Sequence, residues 1–197
     1  MTTHLYHLPR SRSTRVLWTL EELGEPHEVS IMTREESRGE EHRARHPLGR
    51  VPAIGDEGAH LFESAAIVLA LADRDADGSL SFPLGSRERE LVYQWAFFAM
   101  LELEAPTVVA RDEKERDPHR SAAARERVRE AAGVVERALE GREFIVGERF
   151  SAADIVLGSV AIFARDQGLL EDDFPALTQY IEALVARPAR AKAYSVA

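Results

Sequence analysis

Residues 60–67 read HLFESAAI, and the two residues in the middle could bind as a pair. His60, Leu61 and Phe62 suit a strand, and the run AAIVLALA from Ala65 suits an apolar helix. Glu63 and Ser64 therefore stand at the seam, where a helix offers N–H groups with no intrahelical acceptor and a partial positive charge. Such a terminus holds a carboxylate by charge and by directional hydrogen bonds, with Ser64 adding its hydroxyl and N–H. Glu63 beside it can accept from an ammonium, and a ligand with both charges on one carbon is an amino-acid head group. The same residues also suit a capping device, in which Ser64 caps its own helix and Glu63 complements the dipole. On the residues alone, both readings stay open.

Bulk properties narrow the chemistry. The chain has 197 residues, 45% hydrophobic and 30% charged, which is a globular composition sufficient for one large domain or two small ones. No stretch approaches the roughly 20 apolar residues of a membrane span, and no basic-then-apolar segment opens the sequence. A cytoplasmic protein with no membrane partner is expected. The net charge of −9 argues against a nucleic-acid partner, although a small anion can still sit in a local basic pocket. Arginine outnumbers lysine 23 to 2, scattered along the chain, which reads as genomic bias. Cysteine is absent, so disulfides, thiolate metal sites and cysteine nucleophiles are excluded.

The elements that would position Glu63 and Ser64 form a mixed pattern. His4–Leu8 is a short strand ended by Pro9, and Val16, Leu17, Leu20 and Leu23 recur at helical spacing with Glu21 and Glu22 facing water until Gly24. His27–Met32 alternates as a strand, and the charged run 34–46 suggests a solvated helix. Ala53-Ile54 and Ala59–Phe62 make two strands around the turn GDEG, and Ser64–Ala76 closes the unit as a helix. The order is β-α-β-α-β-β-α, an α/β domain over 1–77. Residues 78–86, GSLSFPLGS, form a linker, and 87–197 read as all helical. There Arg87–Asp117 carries Pro106, which should kink or split it. Residues 119–140 place Val128, Ala131, Val135 and Leu139 on one stripe. Ser151-x-x-Asp154 is a capping box with Ile155 stapling back onto Phe150, and Pro175–Val185 is a last amphipathic helix.

This organisation resembles the soluble glutathione transferases, an N-terminal thioredoxin-like domain followed by an all-α helical bundle. The resemblance is carried by LYHLPRSRSTRVLWTLEELG (5–24), HPLGRVPAI (46–54), LFESAAI (61–67) and ERFSAADI (148–155), four motifs in order. The first helix is closest to the serine-type bacterial and fungal subgroup, whose pattern is SRxxRVLWxLEEL.

The resemblance implies glutathione as the co-substrate, with no metal. It implies that Glu63 and Ser64 hold the γ-glutamyl end. Val51, before a cis Pro52, would present its N–H and C=O to the peptide, where without the motifs Pro52 would read as an ordinary strand-starting proline. Arg50 would reach the glycyl carboxylate. Ser11 matches the subgroup's serine, which implies that it donates its hydroxyl to the sulfur. A thiol with an ordinary pKa near 8.5 is mostly protonated at neutral pH, and a donor near a helix start stabilises the thiolate. Tyr6 is the rival donor, Ser13 is assigned to capping the helix or facing away, and Arg12 adds positive potential or is solvated. A hydrophobic electrophile would bind between the halves, near Tyr93, Trp95, Phe97, Phe98 and Met100, although such a stretch is more often core. A homodimer is implied as well.

The absence of cysteine excludes the mixed-disulfide chemistry of cysteine-type relatives. Conjugation to a small hydrophobic electrophile is the expected activity. A glutathione-dependent peroxidase or disulfide reductase, or a binding protein without turnover, are the alternatives. His42 and His46 are four apart and could hold a metal, but they lack a third ligand and read as a solvated face.

Overall fold

The structure, a computed structural model, describes residues 2–56, 59–170 and 173–196. Two compact units divide them, Met1–Leu80 together with Ala186–Ala197, and Ser81–Val185.

The first unit carries a four-stranded sheet. β1 (Thr3–His7) pairs parallel with β2 (His27–Ile31) and antiparallel with β3 (Ala53–Asp56), which pairs antiparallel with β4 (Ala59–Phe62). The sheet order is β2-β1-β3-β4. Residues 57–58 of the expected GDEG turn lie outside the described residues.

Side chains alternate along β1, so Leu5 and His7 enter the core while His4 and Tyr6 take the other face. Helix α1 (Ser13–Leu23) packs on β1 and buries Val16, Leu17, Trp18 and Leu20 fully. Each such side chain contributes about 1.5–3 kcal/mol. It ends at Gly24, whose φ of +64° suits a residue without Cβ. Helix α4 (Ser64–Arg74) packs against α1 and buries Ile67, Val68 and Leu71.

Three sequence expectations need correction in this unit. The charged run 34–46 is two short helices, α2 (Arg34–Arg38) and α3 (Glu40–Arg43), separated by Gly39 in an extended conformation. His42 and His46 are buried rather than solvated, at 1% and 4% exposure. Glu21 and Glu22 do not face water, because the chain's tail folds onto them. Pro188–Ser195 forms a further helix, here α10, beyond the last amphipathic helix expected at Pro175–Val185. Arg187 clasps the Glu22 carboxylate with two hydrogen bonds of 2.7 and 2.8 Å, and Lys192 pairs with Glu21 at 2.6 Å. The tail thus belongs to the first unit rather than to the helical one.

The second unit is helical: α5 (Arg87–Phe98), α6 (Ala105–Asp112), α7 (Pro118–Leu139), α8 (Ala152–Asp166) and α9 (Pro175–Val185). Pro106 lies in the first turn of α6, and the helical run expected over 87–117 is divided just before it. Residues Ala99–Glu104 between α5 and α6 are π-helical, with the Ala105 N–H reaching back to Met100 O. A wider turn there accommodates a proline that has no N–H and would crowd the carbonyl four residues back. Helix α8 is buried along most of its length and is the unit's core. Gly158 in it lets α9 approach closely, since an added Cβ would fall 2.2 Å from Leu184 Cδ1. Among the described residues, no helix is long and apolar enough to cross a membrane.

Candidate active site

The five sequence-predicted site residues, Ser11, Arg50, Val51, Glu63 and Ser64, all lie in the first unit, at three junctions where a loop or strand leads into the next element.

The first junction follows β1. Arg10 turns the chain with a φ of +58°, and Ser11 then stands half-buried before α1. Ser11 Oγ lies 2.7 Å from Ser13 Oγ and accepts from the Ser13 N–H at 3.2 Å. Ser13 is fully buried and does not cap α1, whose N-cap position is Arg12 with no side-chain bond. Its hydroxyl instead ties the helix start back to the strand. It accepts from the Leu8 N–H at 3.1 Å and lies 2.8 Å from His7 Nδ1. Burial holds His7 below the ordinary imidazole pKa, so the ring is neutral at neutral pH. Arg12 is exposed.

Tyr6 is not brought to this group. It projects from the opposite side of the strand to His7. There its ring stacks on His4 at 4.7 Å, meets His42 edge-on at 5.7 Å, and lies under the Arg45 guanidinium at 4.3 Å. Those contacts make it a packing centre.

The second junction is the loop into β3. The Val51-Pro52 peptide is cis and Pro52 is buried. Buried His42 donates from Nε2 to the Arg50 carbonyl at 2.7 Å, which fixes the backbone while the Arg50 side chain stays exposed. His46 accepts from the Leu48 N–H at 3.2 Å and packs on Phe62 at 4.9 Å. Its pKa is lowered, chiefly by burial, while the Glu63 carboxylate pulls the other way.

The third junction is the start of α4. Glu63 holds a φ of +72°, unusual for a residue with a Cβ, and its side chain is exposed. Ser64 is buried at 2% exposure, yet the helix start has no side-chain cap. The Ser64 hydroxyl accepts instead from Arg15 Nη1 at 3.4 Å. Arg15 itself is 5% exposed, so a buried cation joins the helix's own positive end.

Arg15, His42 and His46 were not among the predicted site residues. A signal existed for Arg15, the closing arginine of SRxxR. For the histidines it was their place just before LGRVPAI, in a stretch whose other charges argued for solvent. Among the described residues, no group of three His, Cys, Asp or Glu side chains is arranged to hold a metal.

Comparison with known proteins places this geometry. Residues 10–74 match the glutathione S-transferase N-terminal domain, and residues 98–188 match the C-terminal domain of the same family. Glutathione S-transferase 3 of Schizosaccharomyces pombe is 43% identical over 65 residues, which span 32% of this chain and 27% of that protein. The glutathione S-transferase-like protein gedE of Aspergillus terreus is 30% identical over 193 residues, covering 88% of this chain and 85% of that protein. The glutathione transferase URE2P6 of Phanerochaete chrysosporium, solved in complex with oxidized glutathione, superposes with a TM-score of 0.87. It is 26% identical and covers 98% of this chain and 94% of its own. Matched in both halves and similar to a relative along most of its length, the chain belongs to the glutathione S-transferase family.

Proposed function

We propose that the protein is a serine-type glutathione transferase that activates the glutathione thiol for attack on small hydrophobic electrophiles. One observation carries this reading: α4 begins uncapped at a buried serine that faces a buried arginine, one residue after an exposed glutamate. The γ-glutamyl carboxylate would take the open N–H groups and the Ser64 hydroxyl, and its ammonium would take Glu63. Val51 would pair with the cysteinyl backbone, and the exposed Arg50 side chain would meet the glycyl carboxylate. The sulfur would then lie beside Ser11. Its proton leaves to solvent, the Ser11 hydroxyl donates to the resulting thiolate, and the thiolate forms the new carbon–sulfur bond as the leaving group departs. The same reading makes the protein a cytoplasmic homodimer.

The test is conjugation of a chromogenic aryl halide by purified protein, with glutathione binding followed by calorimetry. Loss of one charge-assisted hydrogen bond, about 1.5–3 kcal/mol, predicts that Ser11→Ala lowers kcat/KM about 10- to 100-fold and leaves the glutathione Kd within about 3-fold. Glutathione binding with no turnover and no Ser11 effect would favour the binding-protein alternative. Turnover of peroxides or disulfides alone would favour the reductase.

A further inference from the structure

The core side chain His7 has no place in the chemistry above, although it touches the hydroxyl network that does. We propose that His7 is a positioning residue for the thiol: as its Nδ1–H tautomer it sets the direction of a relay through Ser13 that leaves the Ser11 proton free for sulfur. The inference rests on Ser11 being the thiolate's donor.

Protons and lone pairs at Ser13 can be counted. A serine hydroxyl has one proton and two acceptor lone pairs. Four polar atoms surround Ser13 Oγ: the Leu8 N at 3.1 Å, the Leu8 O at 3.1 Å, His7 Nδ1 at 2.8 Å and Ser11 Oγ at 2.7 Å. The Leu8 N–H fills one lone pair in every arrangement. A neutral imidazole carries its proton on one nitrogen only.

Suppose Nδ1 carries it. His7 then donates to Ser13 and fills the second lone pair. Ser13 has none left for Ser11, whichever acceptor takes its own proton. Ser11 Oγ already accepts from the Ser13 N–H at 3.2 Å, and it can also accept the Ser13 O–H at 2.7 Å. With no lone pair open at Ser13, the single Ser11 proton points away from it.

Suppose instead that Nε2 carries the proton. Nδ1 becomes an acceptor and takes the Ser13 proton. Ser13 keeps a lone pair open, and the Ser11 proton turns inward to fill it. In that arrangement the hydroxyl offers sulfur only its one remaining lone pair.

The two tautomers therefore correspond to a donor-ready and a donor-blocked Ser11. Nε2 is buried with no hydrogen-bond partner among the described residues, so a proton there would be a buried donor without an acceptor, which favours the proton on Nδ1. A thiolate beside Ser11 selects the first, because only there can it receive a proton without breaking a bond in the chain. Aligned hydrogen bonds polarise one another, which strengthens the last one.

The experiment tracks the pKa of glutathione's thiol in the binary complex, by thiolate ultraviolet absorbance against pH. His7→Leu should raise it by about 0.5–1 unit, a fraction of what a full charge-assisted bond shifts. His7→Asn, whose side-chain N–H falls where Nδ1 stood, should restore it to within about 0.3 unit, with Kd for glutathione little changed in both. In a Ser11→Ala background His7→Leu should add no further shift, which a packing defect would not arrange. A raised thiol pKa in Ser11→Ala with none in His7→Leu overturns the relay and leaves the donor assignment intact. An unshifted Ser11→Ala overturns the donor assignment itself, and the relay with it. If the His7 variants fail to fold, proton–nitrogen NMR of the glutathione-bound wild type decides. A proton on Nδ1 supports the relay, and one on Nε2 refutes it.

Discussion

The starts of α4 and α8 use the same residue types to opposite ends. At α8, Asp154 is fully buried and its carboxylate accepts four hydrogen bonds. Oδ2 takes the Ser151 N–H at 2.8 Å and the Ser151 O–H at 3.1 Å, while Oδ1 takes the Ile145 N–H at 2.9 Å and the Tyr180 O–H at 3.0 Å. Serine and acid bond one another, and both oxygens of the acid are engaged inside the protein. At α4 the acid is exposed, the serine is buried without capping, and a guanidinium faces its hydroxyl. A helix start closed on itself is a structural fastener, whereas one left open beside a cation is a place for an anion. Burial of the acid tells the two apart.

The largest effect expected from that contrast is on the closed side. Asp154→Ala leaves four donors without their acceptor and should cost about 3–5 kcal/mol of unfolding free energy, read by denaturant titration. A cost under about 1 kcal/mol would mean that the fastener is ornamental.

Next comes pH. Burial pushes the Asp154 carboxyl from 3.8 up to about 6, outweighing the four bonds that favour its charge. Between those values the folded protein binds more protons than the unfolded chain, so this group's contribution is full below pH 3.8 and is lost as pH rises through 6. At about 1.4 kcal/mol per unit, stability should fall by about 3 kcal/mol over that window relative to Asp154→Asn. Parallel stability profiles for the two proteins would contradict it.

The smallest effect lies on the open side. Because Ser64 does not cap its helix, Ser64→Ala should change stability by under about 0.5 kcal/mol, yet weaken glutathione binding about 10-fold. Destabilisation of about 1 kcal/mol or more with unchanged binding would make Ser64 an ordinary cap.

These differences also mark what could be read in advance. Both seams were visible in the sequence, because apolar periodicity and turn residues fix where a strand ends and a helix begins. The α8 box was legible outright, since Ser151 and Asp154 are three residues apart and their bonding is local. The parts that escaped depend on distant partners. Arg15 reaches Ser64 across 49 positions, and Arg187 reaches Glu22 across 165, so Glu22 looked like a wetted residue on an amphipathic helix. His42 and His46 stand among charges that do face water, and they are buried by Tyr6, Phe62 and the Arg50 carbonyl. His7 stood in the short strand expected at His4–Leu8 and was given no role there. Its link to Ser13 depends on how the β1–α1 loop turns at Arg10, a non-glycine residue with positive φ.

The central claim is that the start of α4 is an anion cradle, and a crystal structure of the protein with glutathione tests it most directly. The γ-glutamyl carboxylate should sit within hydrogen-bonding distance of the Ser64 hydroxyl and N–H. Glutathione bound elsewhere, with Ser64 still facing only Arg15, would contradict it.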